Sequence, residues 1–272
     1  MPAPRLYSTY NSGMGFLFRP KELPRPASLT FTLDQAGHTY DDGHVGLAPT
    51  DITISELRVA VIGLNGAGKS TLLGLLDGSL KANAGTVTIA GGEERLDPAV
   101  KKDAKRIDNL VGKVRREEIS NSFYQAANIS EAVSEALKKH KVPESERHAR
   151  IGNLFAHFDL AQVSKASELD SEKRHLLAIA AALSFEPSAI VADEPSKGLD
   201  EIGAAHVAKA LFSYNKQVIF ATHDTDMIRR PEYAIDRVLV LDEHAVAFDG
   251  APAEAVAFYE DLIRRKYEAA KR

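Results

Sequence analysis

Cysteine is absent from the 272 residues, so disulfides, thiolate metal sites and thiol nucleophiles are all excluded. A strong charge of either sign is also missing. Lys and Arg total 34 against 38 Asp and Glu, and the resulting net charge of −4 gives no electrostatic reason to expect nucleic acid as a partner. Long apolar runs are lacking too: the longest nearly apolar stretch, residues 176–185, is about half of the ~20 residues a membrane-spanning helix needs. The first residues show no compact apolar run of the signal-peptide kind. Any membrane role is therefore expected through association with other chains, and the lack of cysteine fits a cytosolic setting.

What is present reads as one large α/β domain with a subdomain inserted. Residues 1–26 are rich in Pro, Ser, Arg and Tyr without a sustained period, and are expected to form an extension outside the core. Short β-rich runs follow at 29–33, 52–54, 57–62 and 86–89, separated by Gly and Asp. Residues 93–118 are dense in charge and read as a solvated connection carrying one helix. From Ser130, a candidate N-cap, apolar residues recur at helical spacing (Val133, Ala136, Leu137, then Ile151, Leu154, Phe155, Phe158) and predict a helical subdomain over about 126–185. The final third alternates helix (173–184, about 202–212) with strand (189–192, 218–221, 237–241). Such alternation predicts a parallel sheet covered by helices, with ligands at the carboxyl ends of its strands. From Pro252 an amphipathic helix with a basic end is expected to serve packing or dimerisation. The domain limits are accordingly drawn at 27–260, with a helical tail over 261–272.

The sharpest local signal is Gly63-Leu64-Asn65-Gly66-Ala67-Gly68-Lys69-Ser70-Thr71, a full phosphate-loop pattern between an apolar strand and an apolar helix. Glycines let the loop aim successive N–H groups at phosphate oxygens, and the following helix adds its positive N-terminus. Lys69 is then placed to reach the β- and γ-phosphates, and the Ser70 hydroxyl to hold Mg²⁺. Many nucleotide enzymes share such a loop, so a second signal is needed. It comes from Val191-Ala192-Asp193-Glu194-Pro195, where an apolar strand ends in two acids at the phosphate-facing edge of the sheet. Asp193 suits Mg²⁺ binding through water, and Glu194 suits a general base on the attacking water. A third strand runs through Ala221-Thr222 into His223-Asp224, where His223 can sense or polarise the γ-phosphate.

These segments resemble the motifs of ATP-binding-cassette ATPases: Gly63–Thr71 its Walker A, Val191-Ala192-Asp193-Glu194-Pro195 its Walker B, Gly198-Leu199-Asp200 its D-loop, and Thr222-His223-Asp224 its switch segment. The resemblance covers about residues 29–259. It implies a P-loop NTPase with a RecA-like mostly parallel sheet, an antiparallel β subdomain and an inserted helical subdomain. It also implies ATP and Mg²⁺ as ligands, a second ATPase chain as dimer partner, and separate transmembrane transporter subunits at the inner face of the cell membrane. Tyr40 stands where the family has its adenine-stacking aromatic. Gln125 is the nearest glutamine for the Mg²⁺- and water-contacting position, although the strand-like Val111-Gly112-Lys113-Val114 would place Arg116 there instead. The stretches 131–160 and 169–200 resemble the ATPases of energy-coupling-factor importers of the cobalt and biotin type. One motif departs: the family's Leu-Ser-Gly-Gly-Gln falls on Leu169-Asp170-Ser171-Glu172-Lys173, where the leading serine and both glycines are missing. Carboxylates at Asp170 and Glu172 would face a partner's polyanion, so a weakened signature is expected, with helix capping by Asp170 or Ser171 as the alternative.

Overall fold

The computed structural model describes residues 28–115, 128–161 and 165–271, which fold into two sheets and their covering helices. The first part supplies β1 (Thr30–Thr39), β2 (Val45–Ile54), β3 (Arg58–Gly63), α1 (Lys69–Leu76), β4 (Ala84–Gly91) and β5 (Glu94–Leu96). Next come α2 (Lys101–Leu110), β6 (Val111–Val114) and the helices α3 (Ile129–Lys139), α4 (Glu144–His157) and α5 (Ser171–Leu183). The last part runs β7 (Ala189–Asp193), α6 (Glu201–Phe212), β8 (Gln217–Ala221), α7 (Thr225–Arg229), β9 (Arg237–Asp242), β10 (Ala245–Gly250) and α8 (Pro252–Ala270).

The larger sheet has the order β10-β9-β3-β8-β7-β6, parallel from β9 through β6 with β10 added antiparallel. The interiors of its central strands are continuously apolar because both faces are covered. Ala60, Ile62, Ile190, Ala192, Val218 and Phe220 point into one core, shared with Leu137 of α3, Phe155 of α4, Leu177 of α5 and Leu211 of α6. Their neighbours Val59, Val61, Val191 and Ile219 point into the other, against Leu72 and Leu75 of α1 and against Phe31, Leu33, Ile54 and Ile89. Those last four belong to a smaller antiparallel sheet, ordered β2-β1-β4-β5. The expected α/β architecture, a mostly parallel sheet with an antiparallel β layer and a helical insertion, is the observed one.

Three local expectations change. The charged stretch 93–118 holds more than a solvated helix: Val111 and Val114 are buried in β6, which pairs in parallel with β7. This strand is the strand-like Val111-Gly112-Lys113-Val114 of the sequence, set inside the charged stretch. The cap of α3 is Asn128, whose side-chain oxygen accepts the Glu131 N–H at 2.8 Å, and Ser130 lies inside the helix. Buried Ile129 begins the helix one residue before Ser130, so the cap moves outward. The strands β1 and β2 also extend beyond the runs 29–33 and 52–54, because a ten-residue antiparallel ladder tolerates polar residues on its solvent side. Helix α8 is continuous across position 260. Among the described residues no helix is long and apolar enough to cross a membrane. Residues 1–26, Gln125 and Arg116 lie outside the described residues.

Candidate functional site

Parallel pairing of Val61 with Ala221, and of Ala221 with Asp193, brings the carboxyl ends of β3, β8 and β7 to one edge of the sheet. From β3 the chain turns through residues 64–68 into α1. Gly68 sits at φ 101°, in the left-handed region, and a Cβ there would lie 2.6 Å from the Gly46 carbonyl oxygen, so only glycine fits. Because Gly68 offers no side-chain acceptor to cap α1, the N–H groups of the first turn and the helix dipole remain available to an anion. Lys69 is 6% exposed, and its Nζ donates to the carbonyls of Gly63 at 2.8 Å and Leu64 at 3.1 Å. Burial holds its pKa below the ordinary lysine value against the opposing pull of Glu194 and Asp193.

Beyond β7, Glu194 adopts φ 47°, unusual for a residue with a side chain. Its N–H donates to Ala221 at 3.1 Å and its carbonyl accepts from the Lys197 N–H at 3.1 Å, which pins the backbone and aims the carboxylate at the phosphate loop's edge of the sheet. His223 Nε2 donates to Oε1 at 2.6 Å, and Lys197 Nζ contacts Oε2. Burial works to raise the Glu194 carboxyl, but the Lys197 hydrogen bond and the charges of His223, Lys197 and Lys69 hold it below the usual range. The His223 imidazole is itself lowered, first by burial and then by Lys69, whose Nζ is 3.4 Å from Nε2. The two shifts favour a neutral ring beside an ionised carboxylate, and the contact with Oε1 assigns the ring's N–H to Nε2.

The phosphate loop, Asp193, Glu194 and Lys197 border a cavity of about 350 Å³, and His223 touches Glu194 without itself lining the cavity. Of the residues singled out in the sequence, it is lined by Tyr40, Asn65, Gly66, Gly68, Lys69, Ser70, Thr71, Asp193 and Glu194, while Gly63, Leu64 and buried Ala67 form the loop behind them. The Tyr40 hydroxyl is 3.0 Å from Thr71 Oγ1, which fixes the ring at the cavity mouth. Four lining residues were not singled out in the sequence: His44, Gly46, Lys197 and His244. His44 lies in the β1–β2 connection. His244 lies in a two-residue β9–β10 turn whose members, Glu243 and His244, both have positive φ (46° and 65°). Their rings meet edge to face with centroids 5.1 Å apart. A histidine in a tight hairpin turn was the one available signal for His244. Nothing local marked the other three.

The altered signature lies at the start of α5. Asp170 caps that helix by accepting the Lys173 N–H at 2.7 Å, and Glu172 accepts from His206 Nδ1 at 2.9 Å. The same helix is tied to the acidic strand end by His175, whose buried Nδ1–H donates to the Pro195 carbonyl at 2.7 Å. Asp200 caps α6 in the same way, through the Gly203 N–H at 2.8 Å.

A family model described as "ABC transporter" matches residues 50–197. An ABC transporter ATP-binding protein of Deinococcus radiodurans is 33% identical over 233 residues, which span 85% of this chain and 97% of the relative. The energy-coupling factor transporter ATP-binding protein EcfA2 of Clostridium perfringens is 29% identical over 240 residues, 86% of this chain and 81% of that protein. Among solved structures, cbiO1 of Clostridium perfringens, part of the ABC transporter complex cbiONQ, aligns with a TM-score of 0.71 at 28% identity, covering 88% of this chain and 94% of that one. A phosphate loop, a strand ending in paired acids and a third strand ending in histidine, gathered at one sheet edge and matched along most of the chain, make this protein a member of the ABC transporter family, an ATP-binding cassette subunit with the P-loop fold.

Proposed function

We propose that this chain hydrolyses ATP to drive solute import through separate membrane subunits, of the energy-coupling-factor kind that takes up vitamins such as biotin, or cobalt. The observation that carries the reading is the placement of a buried cation, Lys69, and an ionised acid, Glu194, in one cavity at the ends of strands within the same parallel sheet. The first turn of α1 and Lys69 would hold the phosphates, and Tyr40 would stack on the base. Ser70 and Asp193 bring a hydroxyl and a carboxylate to the same cavity, the oxygen donors a hard cation takes, so they would hold Mg²⁺, which would neutralise charge on the phosphate oxygens. Glu194 would accept a proton from the attacking water, and His223 would orient its carboxylate. Gln125 is retained as a proposed member of the set, and residues 27–260 as the cassette domain.

The transport reading predicts that the chain enters membrane fractions only with partner subunits, since among the described residues no helix can span a bilayer and a peripheral subunit depends on docking. Fractionation of cells expressing it alone and with candidate membrane partners checks this. Stable recovery in membranes from a host lacking any partner would contradict it.

A second reading, a regulatory half that binds ATP but completes its partner's site poorly, is favoured by Asp170 and Glu172. With Asp170 capping α5, the helix offers a facing phosphate a carboxylate in place of open N–H groups. At ~4 Å, two like charges repel by about 4 kcal/mol at an effective dielectric near 20. A homodimer should therefore turn over slowly, and pairing with a different ATPase chain should leave the site built on Lys69 and Glu194 fast. Asp170→Ser with Ser171→Gly and Glu172→Gly keeps a capping hydroxyl while removing both charges, and should raise the purified homodimer's ATPase rate by about tenfold or more. An unchanged or lower steady-state rate would show that this segment does not restrain hydrolysis.

A further inference from the structure

Glu194 is engaged on both carboxylate oxygens, Oε1 by His223 and Oε2 by Lys197. A base in that condition has its lone pairs committed to two donors, and each donor lowers its affinity for a further proton. Both side chains are partly exposed, but Lys197 differs from His223 in two respects: it lines the cavity beside Lys69, and its charge sits on a flexible stem. Its own N–H is fixed on the Glu194 carbonyl, so the ammonium swings about an anchored base. Gly198, which follows, has φ 84°, and the chain turns from there into the capped start of α6. Lys197 is thus one of two lysines in a cavity whose proposed occupant is a polyanion.

We propose that Lys197 is a second phosphate-contacting cation, exchanged from Glu194 to the terminal phosphate of a bound nucleoside triphosphate. The inference rests on the proposed ATPase reading and deepens it. A terminal phosphate carries more charge than one carboxylate and offers several acceptor oxygens, so it outcompetes Glu194 for the ammonium. The exchange frees Oε2 at the moment a base is needed: the water oxygen bonds to the terminal phosphorus, its proton passes to Oε2, and the bridging oxygen leaves with the bond's electron pair as the diphosphate. It also supplies from within the chain positive charge that a facing helix capped by Asp170 would not provide. Lys197 is in this sense a catalytic residue, because it touches substrate.

The test compares affinities of the full chain, with Mg²⁺, for a non-hydrolysable ATP analogue and for ADP. Lys197→Ala should weaken the triphosphate by about tenfold while leaving ADP within about twofold, and Lys197→Arg should restore most of the difference. A purely structural role for this exposed side chain would shift both nucleotides together, so an unchanged ratio overturns the proposal. A Lys197→Ala variant that hydrolyses faster than the parent also overturns it, since Lys197 would then only restrain Glu194. Lys69→Met is measured in parallel. If it retains both nucleotides at parental affinity, the nucleotide site itself is misplaced and this inference falls with it. If it loses both while Lys197→Ala leaves the ratio unchanged, only the role of Lys197 fails.

Discussion

Lys69→Ala should weaken ATP binding by about a hundredfold or more, because removing a cation that makes charge-assisted hydrogen bonds to phosphate costs about 3 kcal/mol. Lys69 is the buried cation of the phosphate loop, and its neighbours there, Asn65, Ser70 and Thr71, carry no charge. The alanine variant also leaves the Gly63 and Leu64 carbonyls without their donor. Lys69→Met leaves those carbonyls without a donor as well but preserves most of the buried stem, so it separates loss of the ammonium from loss of packing. Equilibrium dialysis with labelled ATP should show both variants equally defective. Parental affinity in Lys69→Met would mean that the phosphates lie elsewhere.

Glu194→Gln should keep ATP binding and lower kcat by about 10²–10⁴-fold, the range associated with losing a positioned general base. Glutamine matches the size of the side chain and its carbonyl oxygen can still accept from one of His223 and Lys197, but it cannot take a proton from water. The local geometry argues that the loss is chemical: the backbone at φ 47° is held by the Ala221 and Lys197 hydrogen bonds, neither of which involves the side chain. Steady-state hydrolysis compared with ATP affinity in the same preparation distinguishes the roles. A variant that turns over at the parental rate would remove Glu194 from the mechanism.

Much of this site was legible because its parts are short and continuous. The loop from Gly63 to Thr71 lies between one strand and one helix, so its geometry follows from adjacent residues. Asp193, Glu194 and His223 follow apolar strands, and a parallel sheet necessarily gathers such ends at one edge. The residues that escaped are those carried in by tertiary contact. His44 and His244 come from turns remote in sequence, joined where the Ala48 N–H meets the His244 carbonyl at 2.8 Å. Lys197 reads in sequence as one more charge in a polar turn, and only the fold places it on Glu194. Strand β6 was legible as the strand-like Val111-Gly112-Lys113-Val114 despite its charged setting, whereas Asn128 was obscured by a serine two residues on that also suits a cap. For Asp170, the capping alternative is the one the helix adopts.

The central claim is that a single cavity both binds ATP and cleaves it, and single-turnover hydrolysis tests that most directly. Protein in excess is mixed with γ-labelled ATP and Mg²⁺, and bound ATP and released phosphate are followed in one time course for the parent and Glu194→Gln. The account predicts that the parent converts bound ATP to phosphate, slowly if it acts as a homodimer, whereas Glu194→Gln holds the label as intact ATP over the same interval. Equal phosphate release from both, or bound ATP left intact by the parent, would contradict it.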